Sequence, residues 1–148
     1  MSSQATYEDV NLILRLYELR REDKLREARQ WFAGMFRPVD TIEEFNKACP
    51  PGSGQNAYFR MVTSYWEMAA GFVTAGVLNE RLFFQSGGEL LLTWEKIRPL
   101  VPALRQARKN SRLYINMETV AGRMAEYMNH ESPESFDAFA EMVRNMAR

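Results

Sequence analysis

The sequence predicts an all-α protein, a single-domain bundle of six to eight helices that opens with one long N-terminal helix. Three observations lead there. Apolar residues return every three or four positions along most of the chain, and no run of four or more residues alternates cleanly enough for a strand. Cap and breaker signals cut that pattern into pieces of helical length. A chain of 148 residues, 46% hydrophobic and 26% charged, suits one core and neither disorder nor a fibre.

Taken in order, Thr6 with Asp9 reads as a capping box, with Glu8 and Asp9 in the first turn. Val10, Ile13, Leu14, Tyr17, Leu25, Ala28, Trp31, Phe32 and Met35 then form one stripe over residues 7–36. It passes through Arg20, Arg21 and Lys24, where a kink or break would fall, so the segment is one long helix or two joined end to end. Pro38 ends it. Asp40 or Thr41 opens a short helix, with Glu44 completing a second capping box. Cys49-Pro50-Pro51-Gly52-Ser53-Gly54 is the one breaker-rich stretch, and it reads as a surface loop because fifty residues before it make a poor domain.

Residues 56–76 are apolar nearly all round, the mark of a helix at the centre of a bundle. Trp66, Ala69 and Val73 are expected to be deeply buried, Ala69-Ala70-Gly71 admits a close neighbour, and Gly76 is the stop. Asn79 caps a helix carrying Leu82, Phe83 and Phe84, and Gly87-Gly88 interrupts the path before Leu90 to Val101. Pro99 and Pro102 force an end near Arg98 and a restart with a proline in the first turn. Asn110 or Ser111 caps the next helix, with Leu113, Met117, Val120, Ala121, Met124 and Met128 on one stripe. Ser132-Pro133-Glu134 starts the last one.

Composition excludes several functions. Nineteen Lys and Arg balance nineteen Asp and Glu, which removes any global pull toward nucleic acid or acidic membranes. One cysteine and one histidine permit neither an internal disulfide nor a Cys/His zinc site. No Glu-x-x-His exists for a di-iron bundle, and GxGxxG, GxxxxGK[ST], HExxH and GxSxG are absent. The expectation is no cofactor, no metal and no catalytic residue. Residues Met1 to Thr6 carry no signal-peptide pattern, and the run Met68 to Leu78 is about half the ~20 residues a bilayer crossing needs. A cytoplasmic setting without membrane insertion is therefore expected.

A few residues invite a chemical reading. His130 stands alone near a helix end, where the dipole alone accounts for it, and Cys49 reads as an incidental exposed thiol. Trp66-Glu67 and Trp94-Glu95 set a carboxylate beside a core ring; an acid with a raised pKa in a polar cavity is one reading. The plainer one turns each Glu to solvent or an arginine, with Arg60 a candidate for Glu67. The segment 96–112 holds six basic residues and no acid. Arg105, Arg108, Lys109 and Arg112 fall at steps of three and four, so one side of a helix end could present them to an anion or nucleic acid. Aromatic interleaving and a reading helix are missing, which argues against nucleic acid. Met117, Met124, Met128, Met142 and Met146 crowd the last two helices, as core or as the interface of a homodimer.

The arrangement Tyr65-Trp66-Glu67 in an apolar helix, then Gly76-x-x-Asn79, then Trp94-Glu95-x-x-Arg98-Pro99 with Arg105 and Arg108, resembles small all-helical bacterial proteins classed as domains of unknown function, over about residues 55–110. The resemblance implies an all-helical fold and a bacterial cytosolic or membrane-proximal setting, and brings no activity and no catalytic residue. The reading is a soluble interaction or regulatory module. The alternatives are an anion- or nucleic-acid-binding protein acting through 96–112, and a small-molecule-binding protein or enzyme using Glu67.

Overall fold

Residues 4–146 are described by a computed structural model, so Met1 to Ser3 of the N-terminal reading lie outside the described residues. Among them nine α-helices follow one another and no strand forms: α1 (Tyr7–Arg20), α2 (Asp23–Gly34), α3 (Ile42–Ala48), α4 (Gly54–Thr74), α5 (Glu80–Ser86), α6 (Gly88–Ile97), α7 (Val101–Ala107), α8 (Ile115–Glu131) and α9 (Ser135–Asn145). The all-α class is as expected. The count is not six to eight, and the N-terminal segment is two helices in place of one long one.

That first break has an identifiable cause. Glu22 leaves the helix with extended backbone, and its carboxylate accepts the Leu25 N–H at 3.0 Å as the cap of α2. Arg29, one helix on, donates from Nη1 to the Arg20 carbonyl at 2.8 Å and pairs through Nε with Glu89 of α6 at 2.9 Å. The end of α1 and the start of α2 are thus each satisfied by a side chain, and the chain turns between them.

Helix α4 lies at the centre, with α2 and α8 as its main neighbours. Trp66, Ala69 and Val73 are all buried, as the sequence predicts. Phe32 and Phe36 stack at 5.2 Å, Phe36 meets Phe59 at 5.4 Å, and Phe45 meets Phe59 edge-on at 4.7 Å, tying α2, α3 and α4 together. Cys49 belongs to this core with no exposed surface, so it is not the exposed thiol expected from its prolines. Burial pushes that thiol up to about 11. The prolines that follow are at the surface, but the cysteine itself closes α3 and faces inward.

Most punctuation falls where it is expected. Gly76 takes φ +78° after α4, a conformation that favours glycine. At Gly87 a Cβ would sit 2.7 Å from the Phe83 ring, so only glycine lets α5 run into α6. Pro102 lies in the first turn of α7. Two starts are later than expected. Asn110 accepts the Arg112 N–H within a turn, and α8 begins after Tyr114, which has φ +60°. Likewise Ser132 to Glu134 form a turn, and α9 begins at Ser135.

Candidate functional site

The basic segment is dismantled by the fold. Lys96 is buried, and its ammonium donates to the carbonyls of Phe32 (2.7 Å), Ala33 (3.0 Å) and Phe36 (2.7 Å), closing the C-terminal end of α2. Burial, with the Arg37 charge second, pulls its pKa down to about 8. Arg98 pairs with the buried Glu95 at 3.3 Å. Arg105 donates to the Leu113 carbonyl and to Glu118, each at 2.9 Å. Only Arg105 of the four expected cations lies in a helix body; Arg108 is the cap of α7, and Lys109 and Arg112 belong to the exposed turn before α8. The four do not share one helix face, which corrects the expectation.

Arg98 and Arg105 border a cleft of about 660 Å³ between α6–α7 and α8–α9. Glu95, Glu118, Asp137 and Arg144 also line it, over a floor that includes Trp94, Ala121, Phe136 and Ala140. Acids and arginines alternate and partly neutralise one another. None of its lining residues is Ser, Thr, Cys, His, Tyr or Lys; its ionisable groups are three arginines and three carboxylates, two of which, Glu95 and Glu118, are paired with Arg98 and Arg105.

Glu67 does something else again. Its Oε1 accepts the Met117 N–H at 2.8 Å, and its Oε2 accepts the Asn116 N–H at 3.3 Å and the Asn116 Nδ2 at 3.0 Å. It therefore caps α8 from α4. Tyr114, at the cap position, cannot do so: its ring is buried and its hydroxyl donates to Thr63, one turn before Glu67. The carboxylate meets neither solvent alone nor Arg60, whose Nε donates to Asn56 at 3.0 Å. Nor does it stand free in a polar cavity.

Met117 and Met124 are core residues, 0% and 3% exposed, and Met128 packs against the core edge. Met142 and Met146, at 51% and 36%, are the two on the surface. The expected five-methionine interface is thus reduced to its last pair. His130 is exposed in the last turn of α8, 4.0 Å from Glu131. Among the described residues no cluster of His, Cys, Asp and Glu could hold a metal ion, and no helix is long and apolar enough to cross a membrane.

An unpartnered surface lies on α1. Tyr7, Val10, Leu14 and Tyr17 are 83%, 42%, 53% and 45% exposed along one face. The opposite face, with Leu12, Ile13 and Leu16, packs on the core, so Val10, Leu14 and Tyr17 are not on the buried stripe to which their spacing assigns them. Polar bonds fix this orientation. The Asp9 carboxylate accepts the N–H groups of Thr6 and Asn79, each at 2.8 Å, which hold it below the ordinary carboxylate range. The Tyr65 hydroxyl donates to the Leu16 carbonyl. Beside the exposed face, Ile13, Leu14, Leu16, Tyr17, Arg20, Trp66, Phe83 and Ser86 line a groove of about 280 Å³. The hint available in the sequence is that α1 is apolar on two sides; which side faces the core is a matter of Asp9 and Leu16 meeting distant partners.

Residues 5–124 match the family described as a domain of unknown function, DUF4760. The chain belongs to this family. The match includes α1 to α7 and the first part of α8, and extends well beyond the span of about 55–110 over which the resemblance is read. No curated protein and no solved structure matches the chain.

Proposed function

We propose that the protein is an interaction module that binds a partner polypeptide along the exposed face of α1 and performs no chemistry of its own. One observation carries the reading: four large apolar side chains, Tyr7, Val10, Leu14 and Tyr17, stand exposed at steps of three, four and three on one helix face. Contiguous apolar surface of this kind marks association sites, and that spacing is the one at which two helices pack side by side. The groups nominated for chemistry have structural duties, Glu67 to α8, Lys96 to α2, and Arg105 to Leu113 and Glu118.

The test is a photo-crosslinking amino acid placed in the cell at Tyr7 or Leu14, with Asn46 of α3 as an exposed control. Discrete adducts from the α1 positions and none from Asn46, identified by mass spectrometry, are expected. A second copy of the chain is among the partners this would register. Equal adduct patterns at all three positions would refute the reading.

A further inference from the structure

We propose that the groove between α1, α4 and α5 binds a small amphipathic monocarboxylate, its apolar body against Ile13, Leu16 and Phe83 and its carboxylate at Arg20. The proposal goes beyond the interaction face, with which it shares only Leu14 and Tyr17. Size sets the first limit: about 280 Å³ is the space of roughly nine waters in the liquid, which suits a ligand of about ten heavy atoms. Wall chemistry sets the second. Six of the eight lining residues are aliphatic or aromatic, and the groove contains no acid.

Charge sets the third. Arg20 is the one ionised residue lining the groove, and no carboxylate among the described residues pairs with it. Its guanidinium instead rests 5.1 Å from the Tyr17 ring centre and 5.4 Å from that of Trp66. A guanidinium held over rings is only half-exposed here, and it pairs more strongly with an arriving carboxylate than one in bulk water does. The same groove wall includes the Trp66 ring, whose indole Nε1 is itself buried, so Trp66 reports on the groove without offering it a donor. A cationic donor without an acidic partner, at the edge of an apolar groove that contains no anion, complements a ligand that brings an anionic acceptor on an apolar stem. A cation would face Arg20 unopposed. A phosphate would find one arginine and apolar walls where it needs several donors.

Octanoate is the probe, with octan-1-ol and octylamine as neutral and cationic isosteres, titrated into the full chain by calorimetry. Octanoate is expected to bind at one site about ten-fold or more tightly than octanol, the worth of one charge-assisted hydrogen bond, and octylamine not at all. In two-dimensional NMR the indole N–H of Trp66 should shift on adding octanoate while those of Trp31 and Trp94 stay. Arg20→Met should bring octanoate down to the octanol level and leave octanol unchanged. Leu14→Glu, at an exposed position that leaves the fold intact by circular dichroism, supplies an internal carboxylate to Arg20 and should displace octanoate as well. Octanol binding as tightly as octanoate, an Arg20→Met protein that binds octanoate normally, or no octanoate binding in the millimolar range would each overturn the proposal. Crosslinking at Tyr7 is unaffected by any of these results, so the two readings fail separately.

Discussion

Replacing Glu67 by alanine should destabilise the protein by about 2–3 kcal/mol. The first N–H groups of α8 are accounted for one by one: Ile115 donates to the Arg112 carbonyl at 3.0 Å, while Asn116 and Met117 depend on Glu67. Alanine leaves those two without a protein acceptor at the positive end of a helix of 17 residues. Loss of a cap costs about 1 kcal/mol, and charge-assisted bonds are worth about 1.5–3 kcal/mol, with some return because Glu67 is only half-buried and water can replace it. Glu67→Gln keeps one oxygen acceptor and the shape, so it should lose only about 1 kcal/mol. Urea unfolding at pH 7 followed by far-UV circular dichroism measures both. Hydrogen exchange should show the Asn116 and Met117 amides losing protection first. If Glu67→Ala changes stability by less than about 0.5 kcal/mol, in the range of a neutral surface substitution, the cap across helices is not operating. Equal losses for Ala and Gln would instead place the effect in packing.

Four further outcomes are expected. Trp66→Ala should cost about 3–5 kcal/mol, and a loss below about 1 kcal/mol would remove α4 from the centre of the bundle. Arg108→Gln, at an exposed helix end, should change stability by only a few tenths of a kcal/mol, and DNA binding at physiological salt would contradict the structural reading of segment 96–112. Met142→Glu should leave the fold intact and the unfolding free energy within about 0.5 kcal/mol of the parent, since Met142 is half-exposed; dissociation of a dimer in light scattering would restore the C-terminal interface. The Cys49 thiol ionises near 9 in the unfolded chain and near 11 when folded, so its contribution is complete below pH 9 and lost as pH rises toward 11; Cys49→Ala should lose less stability than the parent between pH 8.5 and 10.

What the sequence makes legible is local. Thr6 with Asp9, Thr41 with Glu44 and Asn79 with Leu82 act within three residues: the first forms the full capping box, Thr41 caps through its hydroxyl while Glu44 returns to that hydroxyl and not to the backbone N–H, and Asn79 caps α5. Gly76 and Gly87 are read from backbone demands on one residue, and the burial of α4 from its continuous apolar surface. Where the expectations fail, the deciding partner is remote. Arg29 reaches Glu89 sixty positions on, Lys96 reaches back to Phe32, and Glu67 reaches Asn116. A run of six cations without an acid looks like a ligand surface because composition says nothing about carbonyls and acids folded against it. Cys49 misleads for the same reason: its prolines describe the loop that follows and not the side chain.

The α1 face shows why such remote partners bear on function. A helix apolar on two sides can bury only one of them against this bundle, and propensity does not choose between them. The choice falls to polar groups, the Asp9 carboxylate on the Asn79 N–H and the Tyr65 hydroxyl on the Leu16 carbonyl, which lock one rotation of α1 about its axis. Breaking either would leave buried polar groups unpaired, so the helix cannot roll over to hide Tyr7, Val10, Leu14 and Tyr17 without a loss of about 1–3 kcal/mol for each group stranded. An apolar face held outward by bonds that oppose its burial is the arrangement expected where a second polypeptide completes the packing, and the Arg20 groove lies at its edge.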